Sequence, residues 1–278
     1  MIDQSTPPIC RWHHKHMLSL CLATVACLAA AQPAPQEALT AQQEELVAAP
    51  AIQWQASLGY HRYREPVMQL QGPEVGLGLR WSATPMLRVE AQWWGSTLRY
   101  DSNGTGSMSG VANHEFRGLA LYRFGQAESW LPHYQIGLAG AYIYNDLRGR
   151  TTTHAVGYER ISEQLWFPLR WQSGAQMLGL KAPYLLQYEV GWLLHGRQLS
   201  RLSQVGPGYA DADNTQRQGV YLQLNAVRPA DTTGSSPYWE PYVRITRIPR
   251  SDVVPVNSGS LALEPSNTRI QLGVSRVW

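Results

Sequence analysis

The sequence predicts an all-β fold: a single closed, antiparallel, up-and-down β-barrel of about ten strands that spans a membrane. Three observations predict it. Segments of about ten residues alternate between apolar and small or polar side chains, as transmembrane strands do. The connections between these segments alternate between short and long. The final segment, TRIQLGVSRVW, keeps the alternation as far as Trp278. Counts of eight or twelve strands stay open.

The composition suits a membrane-facing β protein better than other classes. Charged residues make up 15% of the chain and the mean hydropathy is −0.30. These values exclude a helical membrane protein and argue against a disordered one. Tyr (14) and Trp (11) far outnumber Phe (3), and such amphipathic aromatics are typical of a membrane interface. The formal charge of +3, without a basic run, gives no reason to expect nucleic-acid binding.

Residues 1–31 have the pattern of a cleaved secretory signal peptide. Arg11 and Lys15 precede the apolar run Met17–Ala31, which ends in three alanines that suit a cleavage site. This run is short for a membrane-spanning helix. The sequence therefore predicts a signal peptide at 1–31, a periplasmic lead-in at 32–52 and an outer-membrane β-barrel at 53–278.

The three cysteines all lie in the predicted leader, at Cys10, Cys21 and Cys27. The mature chain is therefore expected to form no disulfide and to carry out no thiol chemistry. Acylation of Cys27, as in a lipoprotein, is the alternative to cleavage after the alanines. Export together with a barrel predicts location in the outer membrane of a Gram-negative bacterium.

The predicted strands and their connections favour a barrel over a soluble β-sandwich, which would also alternate. Connections after the odd strands are mostly long, and those after the even strands mostly short, as expected when both barrel ends lie in the periplasm. An even strand count together with closure at Trp278 also fits a barrel, because an open sheet edge is not tolerated in lipid. The predicted strands are 53–63, 73–84, 86–99, 114–125, 132–146, 155–171, 183–199, 216–228, 238–249 and 268–278.

The last predicted strand has an apolar face that ends on an aromatic residue. Ile270, Leu272, Val274 and Trp278 are expected to face lipid, while Arg276 extends toward the headgroups. This pattern resembles the assembly signal of outer-membrane barrels. The expected partners are therefore the barrel assembly machinery and outer-membrane lipid, including lipopolysaccharide.

Four regions resemble an uncharacterised family of porin-like outer-membrane β-barrel proteins of proteobacteria. The resemblance implies a single barrel in the outer membrane, and it implies no agreed activity or catalytic residues. The chain departs from it at 245–247, where an aromatic-rich stretch is expected. The matching regions are YREPVMQLQGPEVGLGLRW (Tyr63–Trp81), GYERISEQLWFPLRW (Gly157–Trp171), QYEVGWLLHGRQLSRLSQVGPGY (Gln187–Tyr209), and EPYVRITRIPRSDV with EPSNTRIQLGVSRVW near the end.

The face of the strands that points away from lipid carries a set of charged residues. In a barrel of about ten strands the lumen is narrow, so these charges must pair or reach water. They form either a structural plug or an Arg-lined constriction for small anions. Tyr221, Gln223 and Asn225 add polar lining. The predicted network is Arg80, Arg88, Glu90, Arg117, Arg123, Glu189, Glu240, Arg244 and Arg269.

An enzyme at the rim is the alternative function. Asp101, His154, Asp211 and Asp213 lie in predicted loops and could form an acid–base site resembling that of the omptin proteases, although no Asp-x-His occurs and loop aspartates usually form turns. His114 with Glu115, or His61 near Tyr63, would suggest a lipid A-modifying hydrolase, but neither G-x-S-x-G nor His-x-Ser is present.

The sequence thus predicts a small outer-membrane barrel that is either structural or a porin-like, narrow pore for small solutes. No catalytic residue is assigned. The histidines show no metal-ligand spacing, so neither a metal nor another cofactor is expected.

Overall fold

The computed structural model describes residues 51–124, 134–174, 185–227, 237–257 and 260–278. The predicted signal peptide and almost all of the predicted lead-in lie outside these residues. In the described part of the chain, no helix is long and apolar enough to cross a membrane. The strands are β1 (Ala51–Arg64), β2 (Met68–Ser82), β3 (Leu87–Ser102), β4 (Gly106–Phe124), β5 (Tyr134–Asp146), β6 (Glu159–Gly174), β7 (Leu185–Ser200), β8 (Ala212–Gln216), β9 (Val220–Val227), β10 (Tyr238–Ile248), β11 (Val253–Asn257), β12 (Ser260–Leu263) and β13 (Asn267–Val277), with a short 3-10 helix at Leu202–Gln204.

Ten of these strands close into one antiparallel barrel. Each pairs with the next barrel strand along the chain, in the order β1 to β7, β9, β10 and β13. The last of them, β13, pairs with β1 from Gln55↔Val277 to Arg64↔Thr268. The predicted up-and-down barrel of ten strands is therefore confirmed.

The remaining three strands belong to the connections between barrel strands. β8 pairs with the last residues of β7, beyond the part of β7 that pairs with β9. β8 and β9 together thus form one barrel position interrupted near residue 218. β11 and β12 form a separate hairpin between β10 and β13.

The two ends of the barrel differ. The first end, which we call the loop end, carries the connections β1–β2, β3–β4, β5–β6, β7–β9 and β10–β13. The opposite end, the turn end, carries the β2–β3 turn. The start of β1 and the end of β13 also lie there, and the backbones of Trp54 and Trp278 exchange two hydrogen bonds. The other connections at the turn end lie outside the described residues.

One connection predicted to be long is a tight turn in the structure. The sequence indicated a loop at Tyr100–Asn113, but β3 runs to Ser102 and β4 starts at Gly106. The ladder continues because Leu98 and Val111 bury their side chains inside the barrel, and Gly106 adopts a φ of 78° at the turn. This hairpin therefore extends the barrel wall beyond its apolar belt.

The outer face of the barrel is apolar. On β1 the side chains of Trp54 and Leu58 are 55% and 63% exposed, and the same holds for outward residues around the barrel. A continuous apolar surface of this kind suits lipid. On β13, Ile270, Leu272, Val274 and Trp278 all lie on this outer face, and the Arg276 guanidinium lies 5.0 Å from the ring centre of Trp239.

One residue of β7 does not face as strict alternation predicts. Alternation from Gln187 and Glu189 predicts that His195 lies on the inner face, whereas its side chain is exposed. The cause is a bulge: Leu165 pairs with His195 but the next residue, Trp166, pairs with Leu193. The extra residue shifts the facing of everything that follows it in β7.

The seam between β1 and β13 gives a direct test of closure. Leu58 and Val274 are Cα partners on the outer face, so cysteines at both sites are expected to form a disulfide. In the mature chain expected from Gln32, the pair Leu58→Cys/Val274→Cys should give an oxidant-dependent mobility shift on a denaturing gel. The control Leu58→Cys/Leu138→Cys joins strands on different sides of the barrel and should not shift. A sheet that stays open at this seam would leave both variants unlinked.

Candidate functional site: the polar core of the barrel

The inner faces of the strands form a connected network of charged side chains. Arg170 on β6 binds Glu90 on β3 through both terminal nitrogens, at 2.6 and 3.1 Å, and donates from Nε to Glu189 on β7 at 2.7 Å. The Arg170 and Glu189 side chains are 2% and 1% exposed. Charges so deeply buried are tolerated only when paired and hydrogen-bonded, and Arg170 meets this condition with two carboxylates.

Glu189 links the Arg170–Glu90 pair to Arg117 on β4 and to Tyr221 on β9. Its Oε1 accepts hydrogen bonds from Arg117 Nη2 at 2.6 Å and from the Tyr221 hydroxyl at 2.7 Å. The Arg117 guanidinium also lies 4.9 Å from the centre of the Tyr221 ring. Gln223 continues the network, because its Oε1 accepts from Arg117 at 3.2 Å and from Arg244 at 2.8 Å.

Glu115 is the third centre of the network. It accepts from Arg244 at 3.2 Å, from Arg269 at 3.0 Å and from Gln271 at 3.3 Å. Gln271 also donates to Glu74 at 3.0 Å, and Glu74 lies 3.0 Å from His61 Nδ1. The polar core therefore runs without a break from Glu90 to His61.

Several of these bonds cross the lumen from wall to wall. In a closed ring of ten strands, opposite walls are five positions apart, and this is the separation of β4 and β10. Arg244 on β10 reaches Glu115 on β4 directly, and the ion pair of Arg80 on β2 with Glu240 on β10, at 2.6 Å, spans three strand positions. The Arg244–Glu115 pair therefore lies across the full width of the lumen.

Apolar and aromatic groups fill space beside the charges. Trp166 and Tyr221 pack edge to face inside the barrel with ring centres 5.1 Å apart, and Leu193 is buried with them. Closer to the loop end, between Arg160 and Arg269, the remaining cavity is about 10 Å³. That volume admits about one water molecule.

Most of the predicted network residues lie in this core. Arg80, Glu90, Arg117, Glu189, Glu240, Arg244 and Arg269 are all buried. Arg88 is partly exposed and lies 2.7 Å from Glu90. Arg123 is half-buried near the turn end of β4.

The sequence reasoning missed Glu74, Glu115, Arg170 and Gln271. Strict alternation could have found three of them. Glu115 lies two residues before Arg117, Glu74 lies six residues before Arg80, and Gln271 lies two residues after Arg269. The predicted pair of His114 with Glu115 is not formed. Glu115 points inward, whereas His114 stacks on the outer face between Trp93 and Tyr144, at ring-centre distances of 6.0 and 6.5 Å.

The rim residues considered for catalysis are not brought together. Asp101 pairs with Arg99 at 3.1 Å, Asp213 pairs with Arg197 at 2.7 Å, and Asp211 accepts a hydrogen bond from the backbone of Ser203. None of these aspartates hydrogen-bonds a histidine within the described ranges. This contact with Ser203 lowers the pKa of the Asp211 carboxyl, because it favours the charged form.

A second buried charged cluster lies at the loop end, separate from the polar core. It consists of Arg160 on β6 between Glu65, from the β1–β2 connection, and Glu264, from the β12–β13 connection. The sequence did not predict this cluster, although its three residues lie in the stretches that carry the family resemblance. Nearby, Glu159 at the start of β6 accepts from Tyr144 on β5 at 2.7 Å and from Gln204 in the β7–β8 connection at 2.9 Å.

Comparison with protein-family models gives no match. Comparison with curated proteins gives none either. Among solved structures, the chain is similar to the outer-membrane protease OmpT of Escherichia coli, with 10% identity over 84% of this chain and 99% of that chain and a TM-score of 0.45. It is also similar to the translocator domain of the autotransporter NalP of Neisseria meningitidis, with 10% identity, coverage of 95% and 99%, and a TM-score of 0.40. A third is an outer-membrane channel of Pseudomonas putida F1, with 12% identity, coverage of 89% and 100%, and a TM-score of 0.39. At this distance no activity or partner transfers from these proteins.

Removing one charge from the polar core should destabilise the barrel strongly. Arg170→Met leaves Glu90 and Glu189 without their shared cation, and we expect a loss of about 3–5 kcal/mol in the free energy of unfolding. Urea unfolding in lipid vesicles, followed by tryptophan fluorescence, measures it. The control Arg197→Met removes an ion pair whose side chains are 46% and 49% exposed, and it should cost about 0–1 kcal/mol. Equal losses in the two variants would contradict a structural role for the core.

Proposed function

We propose that the protein is an outer-membrane β-barrel of Gram-negative bacteria whose lumen is shut, with its loop end on the cell surface. The observation that carries the proposal is the Arg244–Glu115 pair, which joins opposite walls of the barrel. On this view the charged residues of the lumen are a structural core and do not select a solute. The role is structural, and the porin-like alternative would require these bonds to open.

Energetics also favour a shut lumen. Each arginine of the core has carboxylate or amide partners at hydrogen-bond distance, and opening a water path would have to replace several such bonds together. An arginine-lined constriction that selects anions needs guanidinium groups available to the permeating ion. Here Arg117, Arg170 and Arg244 are occupied by protein acceptors.

Location follows from the apolar belt together with the predicted signal peptide. A closed barrel with exposed Trp, Leu and Tyr side chains around it requires a lipid environment. An exported barrel in a bacterium has the outer membrane as its destination. The expected association with lipopolysaccharide and with the barrel assembly machinery belongs to this proposal. The rim-enzyme alternative finds no support in the contacts of Asp101, Asp211 and Asp213.

Conductance in planar bilayers tests the shut lumen. The wild-type barrel is expected to give no single-channel steps. The triple variant Glu115→Ser/Arg244→Ser/Arg269→Ser removes the bonds around Glu115 and should admit ions. Its matched control, Glu163→Ser/Arg197→Ser/Asp213→Ser, removes an exposed ion-pair group outside the lumen and should stay silent. Regular conductance steps from the wild type would refute the proposal.

Labelling of intact cells tests location and orientation. No cysteine follows Cys27 in the sequence, so single cysteines can be introduced at either end of the barrel. Gly104→Cys lies at the exposed tip of the β3–β4 hairpin, and Pro85→Cys lies exposed in the β2–β3 turn. A maleimide coupled to a polymer too large to cross the outer membrane should label Gly104→Cys alone. Labelling of Pro85→Cys in unbroken cells would reverse the proposed orientation.

A further inference from the structure

A cavity of about 760 Å³ lies at the loop end, enclosed by residues from all five connections. Its walls are mainly apolar, with Met68, Tyr100, Met108, Leu147, Leu202 and Leu263 among the lining side chains. The volume lies in the range of small-molecule pockets, which combine apolar walls with a few placed polar groups. The cavity is distinct from the polar core, because it lies on the other side of Arg160.

The connections around this cavity are tied to one another. The β5–β6 connection bonds the β3–β4 hairpin, where Thr152 N donates to Ser107 O at 2.9 Å and Thr153 Oγ1 donates to Thr105 O at 2.8 Å. The β8 strand bonds the β10–β11 connection through Thr215 N and Asp252 Oδ1 at 2.7 Å. These cross-links hold the cavity open as a preformed cup, which lowers the ordering cost of binding.

The only charged residues that line the cup, within the described chain, are Arg160, Glu65 and Glu264. These residues are 5%, 7% and 6% exposed. Arg160 Nη2 donates to Glu65 Oε1 at 2.7 Å and also to Glu264 Oε2. With both carboxylates ionised, one guanidinium faces two negative charges, so the floor of the cup has a formal charge of −1.

The two carboxylates differ in the number of their oxygens that accept hydrogen bonds. Glu264 uses both oxygens, since Oε2 accepts from Arg160 and Oε1 accepts from the Ser200 hydroxyl at 2.5 Å. Glu65 uses Oε1 alone, which accepts from Arg160 and from the Tyr63 hydroxyl. In the described part of the chain, no donor binds Glu65 Oε2. The Glu65 residue is more than nine-tenths buried, and a carboxylate oxygen without a protein donor at such a site favours a charged donor from a ligand.

We propose that this cup binds a small organic cation, a molecule with an apolar body and one ammonium group that donates to Glu65. The apolar body would pack against the methionine, leucine and tyrosine side chains of the wall. The ammonium would neutralise the excess charge of the floor, and the ring of Tyr100 offers an additional favourable surface for a cation. An anionic ligand would bring a third negative charge to a single arginine that two carboxylates already occupy. The inference goes beyond the proposed function and holds whether or not the lumen conducts.

Three probes with one apolar body and different head groups test the proposal. They are 4-phenylbutylamine, 4-phenylbutan-1-ol and 4-phenylbutyrate, titrated calorimetrically into the folded barrel in nanodiscs, with empty nanodiscs subtracted. The amine is expected to bind saturably at one site, at least about tenfold more tightly than the alcohol, and the carboxylate more weakly than either. Absence of saturable amine binding, or equal binding of amine and alcohol, would overturn the proposal.

Variants locate the site. Glu65→Gln should abolish the preference for the amine over the alcohol, while the matched control Glu163→Gln, at an exposed glutamate on the outer face of β6, should keep it. Ala262→Trp fills the cup from its wall without touching the floor charges, so it should abolish binding of all three probes. Heat-modifiable mobility on gels establishes that each variant is folded. Amine preference that survives in Glu65→Gln, or binding that survives in Ala262→Trp, would place the site elsewhere and refute the proposal.

Discussion

The pairing of β1 with β13 is the constraint on which the rest of the structure depends. Backbone groups in lipid have no water to bond, so a sheet with a free edge is not stable there. Closure gives each of the ten barrel strands a hydrogen-bonded neighbour on both sides, and it also sets the width of the interior. Once that width is set, inward side chains from opposite walls must meet, and the polar core follows from the closed wall.

The polar core shows how a narrow barrel can hold many charges by pairing them with one another. Arginines and glutamates alternate through the lumen, and amide and hydroxyl groups link them where a charge would be excessive. Arg170 between two carboxylates and Glu115 between two arginines have the same arrangement with opposite sign. Such networks are costly when incomplete and specific when complete, so the same bonds that cross the lumen also define how the strands are placed around it.

The loop end is built differently from the membrane-spanning part, because its connections contact one another. Beyond the apolar belt, strands such as β3 and β4 continue as a projecting hairpin, and the connections bond to each other. Arg160 divides this region from the lumen. Below it the space between side chains is nearly filled, and above it a cup of ligand size remains. One barrel thus combines a compact interior with a preformed surface cavity.

Alternation along the chain by itself determined the fold class and the residues on the outer face, including Ile270, Leu272, Val274 and Trp278, and it predicted about ten strands. These features depend on a local period of two, which the sequence displays directly. Alternation could also have placed Glu115 beside Arg117. It failed at His195, because a bulge interrupts the period without leaving a composition signal, and at Tyr100–Asn113, where the ladder continues through a segment with loop-like residues.

Only the tertiary structure decided which charges meet. Arg117 and Glu189 are 72 positions apart, Arg160 and Glu264 are 104 apart, and Arg269 and Glu115 are 154 apart. Contacts over such separations depend on the register and diameter of the closed barrel, and no local pattern encodes them.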